Sequence, residues 1–124
     1  MHTGWHHSMF STEHMSVETL DDMNMIVLPF FVHGMVLALV YLPIALFIET
    51  FFSSDIGWIL MFGVAIHLAW YEVVHTMAHM KNPVMFKSLT RHHQEHHNHG
   101  LMKEYNFGIA TTLCDWLFGT RYSA

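Results

Sequence analysis

Two long apolar runs, separated by a short acidic loop, constrain the fold of this 124-residue chain more than any other feature. Residues 25–48 contain no formally charged side chain. As a helix this run would be about 36 Å long, enough to cross a hydrocarbon core of about 30 Å. Residues 56–78 form the second run, which is apolar as far as Tyr71 and amphipathic beyond it. We therefore predict an all-α fold, an integral membrane helical hairpin with spans at about 25–48 and 56–78.

The composition and the distribution of charge support a membrane location. Hydrophobic residues make up 52% of the chain and charged residues only 12%, whereas charged residues make up about 25% of typical soluble domains. A net charge of −5 with only five Lys plus Arg argues against a nucleic-acid partner. All five basic residues follow the second run, so the positive-inside rule predicts that residues 80–124 are cytoplasmic. Residues 1–24 should return to the same side, giving a multi-pass protein with a cytosolic His-rich helical cap.

Histidines cluster at the end of the second apolar run and after it, in patterns that suit a metal centre. Residues 92–99 contain five histidines, and His93, His96 and His97 have the i, i+3, i+4 spacing that converges on one side of a helix. His75 and His79 are about 6 Å apart along a helix axis and can share one ion. Neutral imidazole is a good ligand for iron, zinc and copper. The single Cys114 excludes a cysteine-based zinc site.

The same residues resemble the fatty acid hydroxylase superfamily of membrane oxygenases. His75-Thr-Met-Ala-His79 matches an HxxxH box, and His93-Gln-Glu-His96-His97 matches an HxxHH box. The stretches Asn106-Phe-Gly-Ile and Asp115-Trp-Leu-Phe-Gly-Thr120 match the family's C-terminal tail. Towards the N-terminus, His6-His7-Ser8 followed by Glu13-His14-Met15 is similar to an HxxHHS…EHM stretch, although Thr3 replaces its first histidine. The family's first HxxxH box is absent, so we expect a single partial domain over residues 1–124, a fragment or truncated product.

The resemblance implies a dinuclear centre, usually of iron, that activates O2 to hydroxylate a fatty acyl or sterol chain. Zinc could occupy the same sites. The implied ligands are His75, His79, His93, His96 and His97, followed by His6 and His7, with His92 and His99 weaker candidates. The carboxylates of Glu72, Glu95 and Asp115 could accept N–H groups of the ligands. Gly108 is expected to allow an unusual backbone angle.

No nucleotide-binding or flavin motif is present, so electrons are expected from a separate cytochrome, ferredoxin or reductase. The bacterial inner membrane and the endoplasmic reticulum both remain open as locations. Four other interpretations also remain open. The chain could be a related membrane desaturase, an inactive metal-binding fragment, a metal transporter, or a surface that senses acid through its imidazoles.

Overall fold

The computed structural model describes residues 6–10, 14–52 and 55–122. These residues form helices, turns and loops without a strand, which confirms the all-α prediction. In chain order the helices are α1 (His7–Met9), α2 (Leu20–Ile26), α3 (Phe30–Val36), α4 (Leu42–Phe52), α5 (Ile56–Ala78), α6 (Lys87–His96) and α7 (Leu113–Phe118), with a π-helical turn (Leu37–Tyr41) between α3 and α4. They divide into a hairpin unit, Leu28–Trp70, and a histidine unit, Met1–Val27 with Tyr71–Ala124. The part of the family resemblance that rests on Thr3 and Glu13 lies outside the described residues.

Two helical stretches are long and apolar enough to cross a membrane, Leu20–Phe52 and Ile56–Ala78. Their mean hydropathies are 2.3 and 1.5, and only 6% of each most apolar window is buried. A core helix of a soluble protein would bury most of such a surface, because water strongly disfavours contact with apolar side chains. The exposed side chains of Phe30, Leu39 and Ile66 therefore suit lipid surroundings better than water.

A capping box begins the first helical stretch, Leu20–Phe52, and prolines lie where its regular α-helix is interrupted. Helix α2 begins at a capping box in which the Thr19 side chain accepts the Asp22 N–H and the Asp22 carboxylate accepts the Thr19 N–H. Pro29 then caps α3. Pro43 lacks an N–H and crowds the carbonyl one turn earlier. The helix adjusts to it with the π-helical turn, in which the Leu42 N–H donates to the Leu37 carbonyl.

Small residues allow α4 and the first turn of α5 to approach closely within the hairpin unit. A Cβ placed on Gly57 would lie 2.5 Å from the carbonyl oxygen of Ala45 and 2.8 Å from its Cα. Ala45 is almost completely buried by this contact. A second link joins the two helices, since the Trp58 indole N–H donates to the Glu49 carboxylate over 2.8 Å. The hairpin therefore depends on small side chains at one crossing point.

The histidine unit has a small aliphatic and aromatic core beside a larger set of buried imidazoles. Phe10, Met15 and Ile26 form the apolar cluster, with Val17 packed against it. The Val17 N–H donates to the His79 carbonyl over 2.9 Å, so the N-terminal segment is held against the end of α5.

We expect Gly57→Ala to destabilise the protein by about 1–3 kcal/mol, because the added methyl group meets backbone atoms that cannot rotate away. Gly63→Ala is the matched control on the same helix, since a Cβ there meets nothing within 4 Å. It should be neutral or stabilising by up to about 1 kcal/mol. Thermal unfolding in detergent measures both, and equal Tm values for the two variants would contradict the close crossing.

Candidate metal centre

The end of α5 supplies the first pair of imidazoles. His75 lies in its last turn and His79 directly follows it, so the i, i+4 spacing places both rings on one side. Both residues are almost completely buried, at 1% and 0% exposure. Their ring centroids are 5.1 Å apart, in an edge-to-face arrangement.

Helix α6 brings the second group to the same place. It begins after Phe86, whose φ of 55° turns the chain sharply, and its first turn exposes Lys87 and Ser88. Its opposite side is buried and carries His93, and His97 follows as the C-terminal cap. The resulting polarity is unusual, because the buried side of this helix consists mainly of imidazoles where a soluble helix would carry aliphatic side chains.

Five Nε2 atoms converge between these elements. The Nε2 of His6, which precedes α1, lies 3.4 Å from that of His75 and 3.2 Å from that of His97. The Nε2 of His93 lies 3.1 Å from that of His97 and 3.1 Å from that of His79. In four of these residues, His6, His75, His79 and His93, the potential ligand atoms all lie within 4.8 Å of one another.

These separations match the edges of a metal coordination shell. Two nitrogens bound at about 2.0–2.1 Å from one ion, at angles of about 90–109°, are roughly 2.8–3.4 Å apart. The observed Nε2–Nε2 distances run from 3.1 to 3.4 Å. The nitrogen-only donor set suits iron, zinc or copper. The residues of the cluster therefore fit a metal ion of this class.

Backbone carbonyls fix the tautomers of two of these imidazoles. The Nδ1 of His79 lies 2.9 Å from the Met15 carbonyl oxygen, and the Nδ1 of His97 lies 2.6 Å from that of Phe10. A carbonyl oxygen only accepts hydrogen bonds, so each Nδ1 must carry the proton. Each Nε2 therefore presents a lone pair towards the centre of the cluster.

Burial keeps the central imidazoles neutral. It lowers the pKa of His93 well below 6.5, and repulsion from the neighbouring imidazoles of His75 and His97 adds to this effect. Burial likewise lowers the pKa of His97 to about 2, although its hydrogen bond to Phe10 opposes the shift. Protons therefore do not charge these rings near neutral pH, and converging lone pairs favour a bound metal cation.

Two further predicted ligands flank the cluster. The His7 ring stacks on that of His97 with centroids 4.3 Å apart, and the His96 ring lies 4.9 Å from that of His7. The Nδ1 of His96 donates to the Tyr105 carbonyl over 3.2 Å, which leaves its Nε2 as a donor for a metal.

The two weaker candidates lie elsewhere. His99 is exposed in the turn after α6. His92 is buried, and its Nε2 lies 2.9 Å from Oδ2 of Asp115. The structure thus joins His92 to the C-terminal tail, and we assign it a positioning role beside His93.

Asp115 is the centre of a hydrogen-bond network that holds the tail against α6. Its carboxylate accepts the N–H groups of Phe107 and Gly108, the Thr120 hydroxyl and the His92 ring N–H. Burial alone would raise the pKa of Asp115, but these four hydrogen bonds outweigh it and lower the pKa below 3.8. The carboxylate is therefore ionised throughout the physiological range.

The structure corrects the expected role of Gly108. Among the described glycines only Gly119 has a positive φ, and the unusual backbone angle in this segment belongs to Asn106 at 57°. Gly108 is needed for space, because a Cβ there would clash with the Thr111 carbonyl oxygen and lie 2.8 Å from Asp115 Oδ2. A side chain at residue 108 would push the backbone at this position away from the Asp115 carboxylate.

Sequence reasoning missed which groups hold the ligands. Of the predicted carboxylates, Asp115 does accept an imidazole N–H, while Glu95 pairs with Arg91 at 3.0 Å and with the Asn106 amide. The acceptors for His79, His96 and His97 are main-chain carbonyls instead. Every residue has a carbonyl, so no side-chain pattern in the sequence could indicate them.

We expect His93→Ala to reduce the metal content of the purified chain several-fold, because its Nε2 contacts two other nitrogens of the cluster. His99→Ala is the matched control, an exposed histidine of the same segment. Elemental analysis measures both. Equal metal loss in the two variants would show that surface histidines bind the metal.

Asp115→Asn should destabilise the protein by about 1–3 kcal/mol, since an amide cannot accept all four hydrogen bonds and its NH2 group faces N–H donors. Glu104→Gln changes an exposed carboxylate of the preceding loop and should be nearly neutral. Chemical or thermal unfolding of both variants checks this difference. A tail that tolerates Asp115→Asn as well as Glu104→Gln would contradict the proposed network.

Comparison with known proteins agrees with this geometry. The model of the fatty acid hydroxylase family matches residues 1–120. Neither the curated proteins nor the solved structures gave a match. The matched range includes all the buried histidines of the cluster and the tail that Asp115 holds. The chain belongs to the fatty acid hydroxylase family.

Proposed function

We propose that this chain forms the metal centre of an O2-dependent lipid hydroxylase that oxidises a C–H bond of a fatty acyl or sterol chain. The observation that carries the proposal is the convergence of five buried imidazoles through their Nε2 atoms. Membership of the fatty acid hydroxylase family supports an oxidoreductase. The candidate membrane helices support a substrate drawn from lipid.

We further propose two metal ions, both iron, with zinc able to occupy the same sites. His6, His75, His79 and His93 form one set of mutually close donors. The His97 ring borders this set and also stacks on His7. His7, His96 and His97 would therefore hold the second ion. Iron at such a centre supplies the O2 activation that no side chain of the protein can perform alone.

The residues of the chain provide a dry, preorganised donor set. The four most central histidines, His75, His79, His93 and His97, are at most 1% exposed, so water has little access to the centre. The hydrogen bonds to Met15 and Phe10 hold two rings in the tautomer that binds metal. Helix α5 is continuous from its apolar first turns to His75, so one element contains both lipid-suited and metal-binding residues.

The reaction needs partners that the sequence does not supply. Hydroxylation inserts one oxygen atom of O2 into a C–H bond and releases the other as water, which consumes two electrons and two protons. We propose that a separate cytochrome, ferredoxin or reductase delivers the electrons. The positive-inside pattern supports a multi-pass arrangement with the histidine unit on the cytoplasmic side, where such donors are found.

Product analysis with isotopically labelled O2 tests the proposal. The full chain would be loaded with iron, reconstituted in lipid, and supplied with a chemical reductant. We expect a hydroxylated lipid that carries the label, with His97→Ala inactive and the exposed control His99→Ala active.

The other outcomes separate the rival functions. An unlabelled product with a new double bond would identify a desaturase and overturn hydroxylation. Full iron loading without any oxidised lipid would indicate a metal-binding protein and would overturn both lipid hydroxylation and lipid desaturation.

A further inference from the structure

Helix α7 has an inverted distribution of polarity. Its one buried residue is Asp115, at 1% exposure. Its large apolar side chains face outwards, with Leu113 at 63%, Trp116 at 68%, Leu117 at 66% and Phe118 at 76% exposure. A helix on the surface of a soluble domain shows the opposite arrangement, with its apolar side against the core.

Helical geometry makes these outward side chains one continuous surface. At about 100° per residue, Trp116, Leu113 and Leu117 fall within an arc of about 100°, and Phe118 extends that arc on one side. Asp115 lies near the middle of the opposite side, where its carboxylate is fixed by the network described above. The orientation of the apolar surface, which we call the α7 face, is therefore set by buried hydrogen bonds.

We propose that the α7 face inserts into the interfacial layer of the lipid bilayer. Helix α5 is continuous from the hairpin unit, which ends at Trp70, into the histidine unit, which resumes at Tyr71. Helix α5 has 23 residues and is about 34 Å long. A hydrocarbon core is about 30 Å thick, so nearly the whole helix is needed to cross it. The last turn of α5, which belongs to the histidine unit, therefore emerges at the headgroups.

The composition of the α7 face fits lipid better than a protein partner. Tryptophan has an amphipathic ring and is enriched at the membrane interface, and Trp116 lies at one edge of the face. Arg121 is exposed three residues after the helix and would meet anionic headgroups. Six residues of helix are only about 9 Å long, so α7 can be embedded in the interface but cannot span the bilayer.

Membrane insertion of α7 has a consequence for the metal centre. Asp115 links α7 to His92, which precedes His93 on α6. Lipid that holds α7 thus also holds the tail against the helix that carries the central histidines. Insertion of α7 does not depend on which metal binds or on the reaction.

The single cysteine provides a direct test, because Cys114 is exposed on α7 itself. The full chain would carry a nitroxide spin label at Cys114 and be reconstituted into nanodiscs of neutral and anionic phospholipid. Collision with O2, which concentrates in lipid, is compared with collision with a water-soluble nickel chelate. The control is Cys114→Ala combined with Lys103→Cys, which moves the label to an exposed loop position.

We expect the Cys114 label to show a several-fold higher ratio of O2 to nickel collisions than the label at position 103. Leu117→Glu should lower that ratio, with circular dichroism reporting an unchanged helix content. Equal nickel access at the two positions would place α7 in water and overturn the proposal. Protection from both reagents would show that a protein surface, such as a second copy of the chain, covers the α7 face, and would overturn it as well.

Discussion

The histidine unit depends on several imidazole nitrogens that converge at one buried site with little access to water. Two tautomers are fixed by main-chain carbonyls, so His79 and His97 both direct an unprotonated Nε2 at His93. His93 has one Nε2 hydrogen at most and can satisfy only one of them. Burial disfavours additional protons, as the lowered pKa values of His93 and His97 indicate. The buried histidine group could hold a metal cation, which would accept these lone pairs.

The folding of the histidine unit should therefore be coupled to metal binding. Among the residues that the structure describes, its apolar cluster is Phe10, Met15 and Ile26 with Val17 packed against it, and its largest completely buried side chains are mainly histidines. A core of this kind gains less from burial than an aliphatic one, because imidazole is polar. The proposed His ligands also come from three separate stretches, residues 6–10, the end of α5 and α6 with its C-terminal cap. One ion bound to all three would link these stretches and add the stability that a small apolar core lacks.

Sequence reasoning predicted the elements better than their connections. The uncharged run and the histidine spacing indicated the helices and the main cluster, since both are periodic properties of side chains. The ring of His6 lies in that cluster, whereas His92 pairs with Asp115 and His99 lies at the surface. The carbonyls of Met15 and Phe10 could not be predicted, because they depend on how distant segments pack. The outward side of α7 was also missed, since the stretch Asp115-Trp-Leu-Phe-Gly-Thr120 gives no indication of which residue is buried.

X-ray absorption spectroscopy of the metal-loaded full chain tests the central claim most directly. If the converging Nε2 atoms hold the ion, the first shell contains nitrogen at about 2.0–2.1 Å for zinc, with the outer-shell scattering that imidazole rings produce. His93→Ala should reduce the number of imidazole ligands. A first shell dominated by oxygen, or one that contains the sulfur of the exposed Cys114, would contradict the account.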